Sequence, residues 1–308
     1  MKAVPRFHGL ISREVAASLV AKGEPFVLKS TVHWGTGADW LALLSGHFGD
    51  STVQVSLGRP GNKFDGIEDG IVEMAAKEPW RVDDFVEHCK RDRQRAADVP
   101  TRYLGEGGSG LVDTLLSGRL ENWHPHPAKT WREEGQPFFE ETEEELERSR
   151  GLHPDQQQGW SLSQILKRMI FPTATPAPPE PVSLLWISDG PAIASTHRDV
   201  YHNFNATIAG QKRFFLAPLT SFSVLDDQVR QRVRLEVAAD GQLRQGTPLG
   251  WMTGFSPADL SDPSPSVVET AELCVAETSP GDVLYIPPNW LTRTSILGQP
   301  LAAAASHT

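Results

Sequence analysis

Between Val182 and Ser306 the chain is a succession of eight short apolar runs, and no other feature constrains its fold as much. They read "VSLLWIS", "AIASTHRD", "HNFNATIAG", "KRFFLAP", "ELCVAE", "DVLYIP", "LTRTSIL" and "PLAAAAS". All are short, rich in β-branched, aromatic or small residues, and separated by Gly, Pro, Asp and Asn. That is the pattern of strands joined by turns, and this many of them predicts a closed or double-sheet β architecture. The interval 219–270, rich in Asp, Gly, Pro and Ser, reads as an insertion between the fourth and fifth runs. Upstream, "PTATPAPPEP" at 172–181 can neither continue a helix nor enter a central strand, so it marks the main internal boundary.

Residues 1–171 have a different texture. "ISREVAASLVAKGEPFVLKS" predicts a helix capped by Ser12 and stopped near Gly23, then a buried strand at Phe26–Lys29. "WLALLSGHFGDSTVQVSLG" predicts a second helix and an alternating strand from Thr52 to Leu57. "RVDDFVEHCKRDRQR" places Val82, Phe85, Val86 and Cys89 on one helical face with charges opposite. These pieces form an α/β cap and helical elements packed on a core at 182–308. The glutamate-rich stretch from Trp131 to Arg150 reads as a solvated helix or lid, and "SLSQILKRMIF" as one more amphipathic helix.

The bulk numbers narrow the function classes. With 29 basic and 39 acidic residues the formal charge is -10. A sequence-independent nucleic-acid binder needs a basic stripe to displace counterions, so that class is disfavoured. Cys89 and Cys274 lie far apart with no CxxC, which argues against a disulfide framework or thiolate zinc site and for a reducing compartment. No signal-like apolar run opens the chain, and no stretch approaches the roughly 20 apolar residues of a membrane span. A cytoplasmic, soluble protein with no membrane partner is expected.

The chemistry concentrates in "STHRDVYHNFNATIAGQKRFFL", residues 195–216. On an extended strand His197 and Asp199 point to the same face and can converge on one cation. An HxD pair alone also arises as a simple histidine–carboxylate hydrogen bond. Lys212, in an apolar run, must either snorkel outward or meet a buried anion; Arg213 beside it is expected to snorkel. His124 and His126, each preceding a proline, read as loop.

Residues 183–218 resemble the Jumonji-C and cupin-like family of Fe(II)- and 2-oxoglutarate-dependent oxygenases. "FSPADLSDP" at 255–263 and "PGDVLYIPPNW" at 280–290 are similar to that family's later segments, as is the N-terminal "PFVLKS". The resemblance implies a mainly β fold with an α/β N-terminal part: a double-stranded β-helix (cupin, jelly-roll) core with flanking helices. It implies iron ligands at His197 and Asp199, 2-oxoglutarate paired with Lys212, and a pocket lined by Thr207 and Asn203.

The third ligand of the family is a histidine two residues after the tryptophan of "IPPxW", and here that position is Thr292. A neutral hydroxyl is a poor donor for Fe(II), which leaves the triad incomplete and both cofactors in question. His307, near the end of the last run, is the substitute considered; His202 is out of phase with His197, and Asp282 reads as a turn cap. The implied activity is hydroxylation of a protein side chain or small metabolite. The alternatives are a catalytically degenerate binding or scaffold protein, or a non-oxidative enzyme using His197 and Asp199 as an acid/base pair. A monomer is favoured, because the chain ends directly after the last predicted strand.

Overall fold

A computed structural model of the chain describes residues 1–8, 11–29, 37–59, 61, 63–91, 101–107, 183–200, 202–221, 228–297 and 302–307. The expected connector at 172–181, the glutamate-rich stretch, the helix expected at 161–171, and His124 and His126 lie outside the described residues. The chain opens with strand β1 (Lys2–Ala3), β2 (Arg6–His8), helix α1 (Arg13–Ala21), β3 (Phe26–Lys29) and α2 (Gly37–Phe48). β4 (Thr52–Leu57), β5 (Lys63–Phe64), β6 (Gly66–Glu68), β7 (Ile71–Met74), β8 (Ala76–Arg81), α3 (Val82–Arg91) and β9 (Arg102–Gly107) follow. The second half holds β10 (Ser183–Ser188), β11 (Ile193–Arg198), β12 (Asn203–Ala209), β13 (Gln211–Ala217), β14 (Arg230–Val237) and β15 (Leu243–Met252). It closes with α4 (Pro265–Thr270), β16 (Cys274–Thr278), β17 (Val283–Ile286), β18 (Leu291–Leu297) and β19 (Ala302–His307).

The eight runs of the sequence are β10–β13 and β16–β19. On each side of the insertion, consecutive strands alternate between two sheets. β16, β13, β18 and β11 lie side by side in one; β17, β12, β19 and β10 in the other. That alternation is the double-stranded β-helix, and it lets each strand bury one face against the opposite sheet. Val27, Phe214, Leu216, Ala276, Leu284 and Ile286 pack together between the sheets.

The N-terminal part is more than a cap. β1 and β5 extend the first sheet, and β2, β3, β9, β4 and β8 extend the second to nine strands. Short N-terminal strands cover edges that would otherwise leave unpaired backbone donors and acceptors. The insertion between the fourth and fifth runs carries strands of its own: β14 and β15 form a hairpin, and β14 runs parallel to β7. Turn-forming composition concealed the hairpin, because β15 carries Gly246, Pro248 and Gly250 and is itself bulged against β14.

The helices behave as their sequences predict. Ser12 caps α1, its hydroxyl accepting from the Val15 amide at 3.3 Å. Val82, Phe85, Val86 and Cys89 of α3 are all buried, packing with Trp40, Leu41 and Leu44 of α2 against Leu104, Leu185 and Ile208 of the second sheet. Each such side chain contributes about 1.5–3 kcal/mol by leaving water. Asp83 and Asp84 in the first turn of α3 complement its dipole. This layer holds the second sheet from outside and leaves its inner face free to carry polar groups.

Candidate ligand-binding site

His197 is set by three hydrogen-bonded neighbours. On one side its strand pairs with β18; on the other, residues of the insertion bridge to it, with the Arg198 amide donating to Gly254 O at 2.8 Å and the Ser256 amide to Thr196 O at 2.9 Å. The imidazole lies against the Phe255 ring, centroids 5.7 Å apart. Its Nδ1 donates to Ser195 O at 2.7 Å, so the proton is held there and Nε2 keeps its lone pair. Asp199 follows the strand end. Its carbonyl accepts from the Asn289 amide at 2.7 Å, and its carboxylate accepts from Asn203 Nδ2 at 3.4 Å. Asn289 adopts a left-handed conformation, φ 62°, and its Oδ1 accepts from Arg198 at 2.8 Å.

Thr292 stands directly opposite His197 in the β11–β18 ladder and is buried. Its hydroxyl donates to Trp290 O at 3.5 Å, along its own strand. Arg293 points the other way, donating to Ser261 at 3.2 Å and pairing with Asp259 at 2.8 Å. His202 is exposed and bonds the Tyr285 hydroxyl at 2.7 Å. His307 stands in register with Phe204 and Ser183, in the other sheet from His197. Asp282 caps the turn before β17, accepting from the Ser279 amide at 2.9 Å, and pairs with Lys29. Among the described residues no three of His, Cys, Asp and Glu come together as a metal site. The donor set at the expected centre is one imidazole, one carboxylate and one neutral hydroxyl. It does not fit the two-histidine, one-carboxylate iron site that the resemblance implies.

Lys212 is 3% exposed, on the same face of β13 as Phe214 and Leu216. Thr278 of β16 and Ile296 of β18 flank it in register, and its ammonium lies 5.9 Å from the Phe214 ring centroid. Desolvation alone pushes its pKa down to about 7, and no described carboxylate offsets that loss. Arg213 beside it leans outward onto Glu277 at 2.7 Å. Across the interior the hydroxyls of Thr207 and Thr278 share a 2.6 Å hydrogen bond, which ties β12 to β16 and puts Thr207 beside the lysine's neighbour.

Two steps along β12 from Thr207 is Asn205, 7% exposed, and two more is Asn203. The Oδ1 atoms of both are buried without a partner among the described residues. Buried polar atoms ordinarily find partners, so two acceptors and an ammonium left without described partners mark an interior arranged for something else. Asn205, Thr278, Phe255 and Asn289 were not singled out from the sequence. Only Asn205 carried a signal, being in phase with Asn203 and Thr207; the others reach the site through long-range pairing. A separate cleft of about 100 Å³ opens beside β11, lined by Arg59, Glu73, Ser195, Asp259 and Arg293. Its charges are largely satisfied, Arg59 by Glu73 and Arg293 by Asp259.

A double-stranded β-helix with its polar residues on the inner faces defines the cupin class. The chain belongs to the cupin-like domain family, whose model matches residues 12–304. No curated protein matches the chain. No helix among the described residues is long and apolar enough to cross a membrane.

Proposed function

We propose that this cupin-like protein binds a small carboxylate inside its β-helix, with Lys212 as the partner of the anionic group. The observation that carries this reading is the burial of Lys212 to 3% exposure with no described counter-ion. An unpaired buried charge costs several kcal/mol, and a ligand that brings the opposite charge offsets that cost. Thr207 and Thr278 share one hydrogen bond, which leaves one hydroxyl hydrogen of the pair to donate to the same carboxylate. His197 and Asp199 then face the other end of the ligand, and iron is not held as oxygenases of the family hold it, because Thr292 occupies the third place.

The test is calorimetric titration of the full chain, in buffer containing EDTA, with short mono- and dicarboxylates including 2-oxoglutarate. Saturable binding by at least one of them, weakened by about tenfold or more in Lys212→Met, is the expected result. Binding by none, or binding that Lys212→Met leaves unchanged, removes the proposal.

One observation favours a second reading, an Fe(II)- and 2-oxoglutarate-dependent hydroxylase of a protein side chain or small metabolite. Nδ1 of His197 is bonded to a backbone carbonyl and Nε2 is left with its lone pair, the state a metal-ligating imidazole takes. Succinate released on supplying Fe(II), 2-oxoglutarate and oxygen to the unaltered protein would establish it.

A further inference from the structure

The interior is polarised along its length. At the β13 end stands a donor, the Lys212 ammonium. At the β11 end stand acceptors: the Asp199 carboxylate, and the Oδ1 atoms of Asn203 and Asn205. Asn203 gives its amide hydrogens to Asp199, so its oxygen is the end left over. Asp199 makes no ion pair among the described residues, and neither does Lys212. Two opposite charges with no described ion-pair partner therefore stand toward the two ends of β12, Lys212 buried and Asp199 half-buried. From Asn203 to Thr207 is four residues, about 13 Å of strand, and the side chains shorten the gap between the charged groups.

A ligand of the 2-oxo dicarboxylate kind needs a cation at its keto end. At this end the chain offers a carboxylate and two amide oxygens, with no second histidine among the described residues to complete a metal centre with His197. A second carboxylate placed there would meet the like charge of Asp199 and two amide oxygens that have no described partner. A protonated amine would meet an opposite charge and up to three acceptors, and its three N–H groups could satisfy Asp199, Asn203 and Asn205 together.

Building on the carboxylate-binding reading above, we infer that the ligand is an aminocarboxylate: its carboxylate pairs with Lys212 and its ammonium with Asp199, Asn203 and Asn205. Asn205 is the residue specific to this inference. Its amide is nine-tenths buried, its oxygen has no described partner, and nothing in carboxylate recognition at Lys212 requires it.

The experiment compares ligands of matched length in EDTA-containing buffer by calorimetry and thermal shift: 4-aminobutyrate, 5-aminopentanoate and glutamate against glutarate and 2-oxoglutarate. At least one amino-bearing ligand is expected to bind about tenfold or more tightly than glutarate. Asp199→Asn and Asn205→Leu should each erase that preference, Asn205→Leu with glutarate affinity within about twofold and Asp199→Asn in part by tightening glutarate, whose second carboxylate no longer meets a like charge. Lys212→Met should weaken both classes. Circular dichroism of each variant, with the unliganded protein melting no lower than the parent, separates lost binding from lost fold. If glutarate or 2-oxoglutarate binds as well as the amino-bearing ligands, or Asp199→Asn and Asn205→Leu leave the preference intact, the inference is overturned and carboxylate binding at Lys212 stands. If no ligand binds in a Lys212-dependent way, both fail.

Discussion

His197 and Thr292 are direct cross-strand partners in the β11–β18 pair, so an imidazole and a hydroxyl share one face where two imidazoles would hold iron. Cross-strand partners have Cβ atoms about 4.5–5.5 Å apart, close enough for both side chains to reach one ion. Thr292→His should therefore rebuild a metal centre without moving the backbone. Anaerobic titration with Fe(II), or with Co(II) as a visible probe, should give binding more than about tenfold tighter in the variant than in the parent. Equal affinities would mean that Asp199 and the ring of His197 do not converge with position 292.

The buried lysine makes stability depend on pH with a definite sign. Burial lowers its folded pKa from 10.5 to about 7. Between those values the unfolded chain holds a proton that the folded chain has released, so this group adds stability as pH rises from about 7 towards 10.5. Below about 7 the folded protein carries the full cost of a buried ammonium. Lys212→Met should remove that rising limb and stabilise the protein at pH 6–7 by about 1 kcal/mol or more. Urea melts of both proteins across pH 6–10 measure it; parallel profiles would show that the amine reaches solvent.

Ligand binding should show the opposite pH trend. A carboxylate beside Lys212 restores its charged form, so binding takes up a proton above about pH 7 and affinity falls as pH rises. Calorimetry in buffers of different ionisation enthalpy would count that proton. No uptake at pH 8 would mean the anion is held elsewhere.

Asn289 holds the turn before β18 in place with both its backbone and its side chain. It sits at φ 62°, its amide donates to Asp199 O, and its Oδ1 accepts from Arg198. Asn289→Ala should cost about 1–3 kcal/mol, through the lost acceptor and the left-handed backbone together. Asn289→Gly keeps the conformation and should cost less. Equal midpoints in urea for the two variants would show that the backbone conformation contributes nothing.

Gly105 of β9 faces Trp186 of β10 in register, and a Cβ added there would lie 2.3 Å from the indole ring. Tyr103 stacks on that same ring at 5.4 Å, so the indole cannot retreat freely. Gly105→Ala should destabilise by about 1–3 kcal/mol, and Trp186→Leu in the same chain should recover part of it. Additive effects of the two substitutions would rule out the clash.

Much of the local structure was legible in the chain itself. The strand runs at Thr52–Leu57 and Leu291–Leu297, the Ser12 cap and the 3.6-residue spacing of Val82, Phe85, Val86 and Cys89 are set by neighbours a few positions away. So is the shared face of residues 203, 205 and 207, which follows from counting along a strand, whereas Thr292 stood out only through the resemblance. What the tertiary structure alone decided is who stands opposite whom. That Thr207 meets Thr278, that β14 joins β7, and that Lys212 is enclosed with no described acid beside it each depend on segments distant in the chain being brought together. The free energy of a buried charge is set by what surrounds it in space, and sequence order does not specify those surroundings.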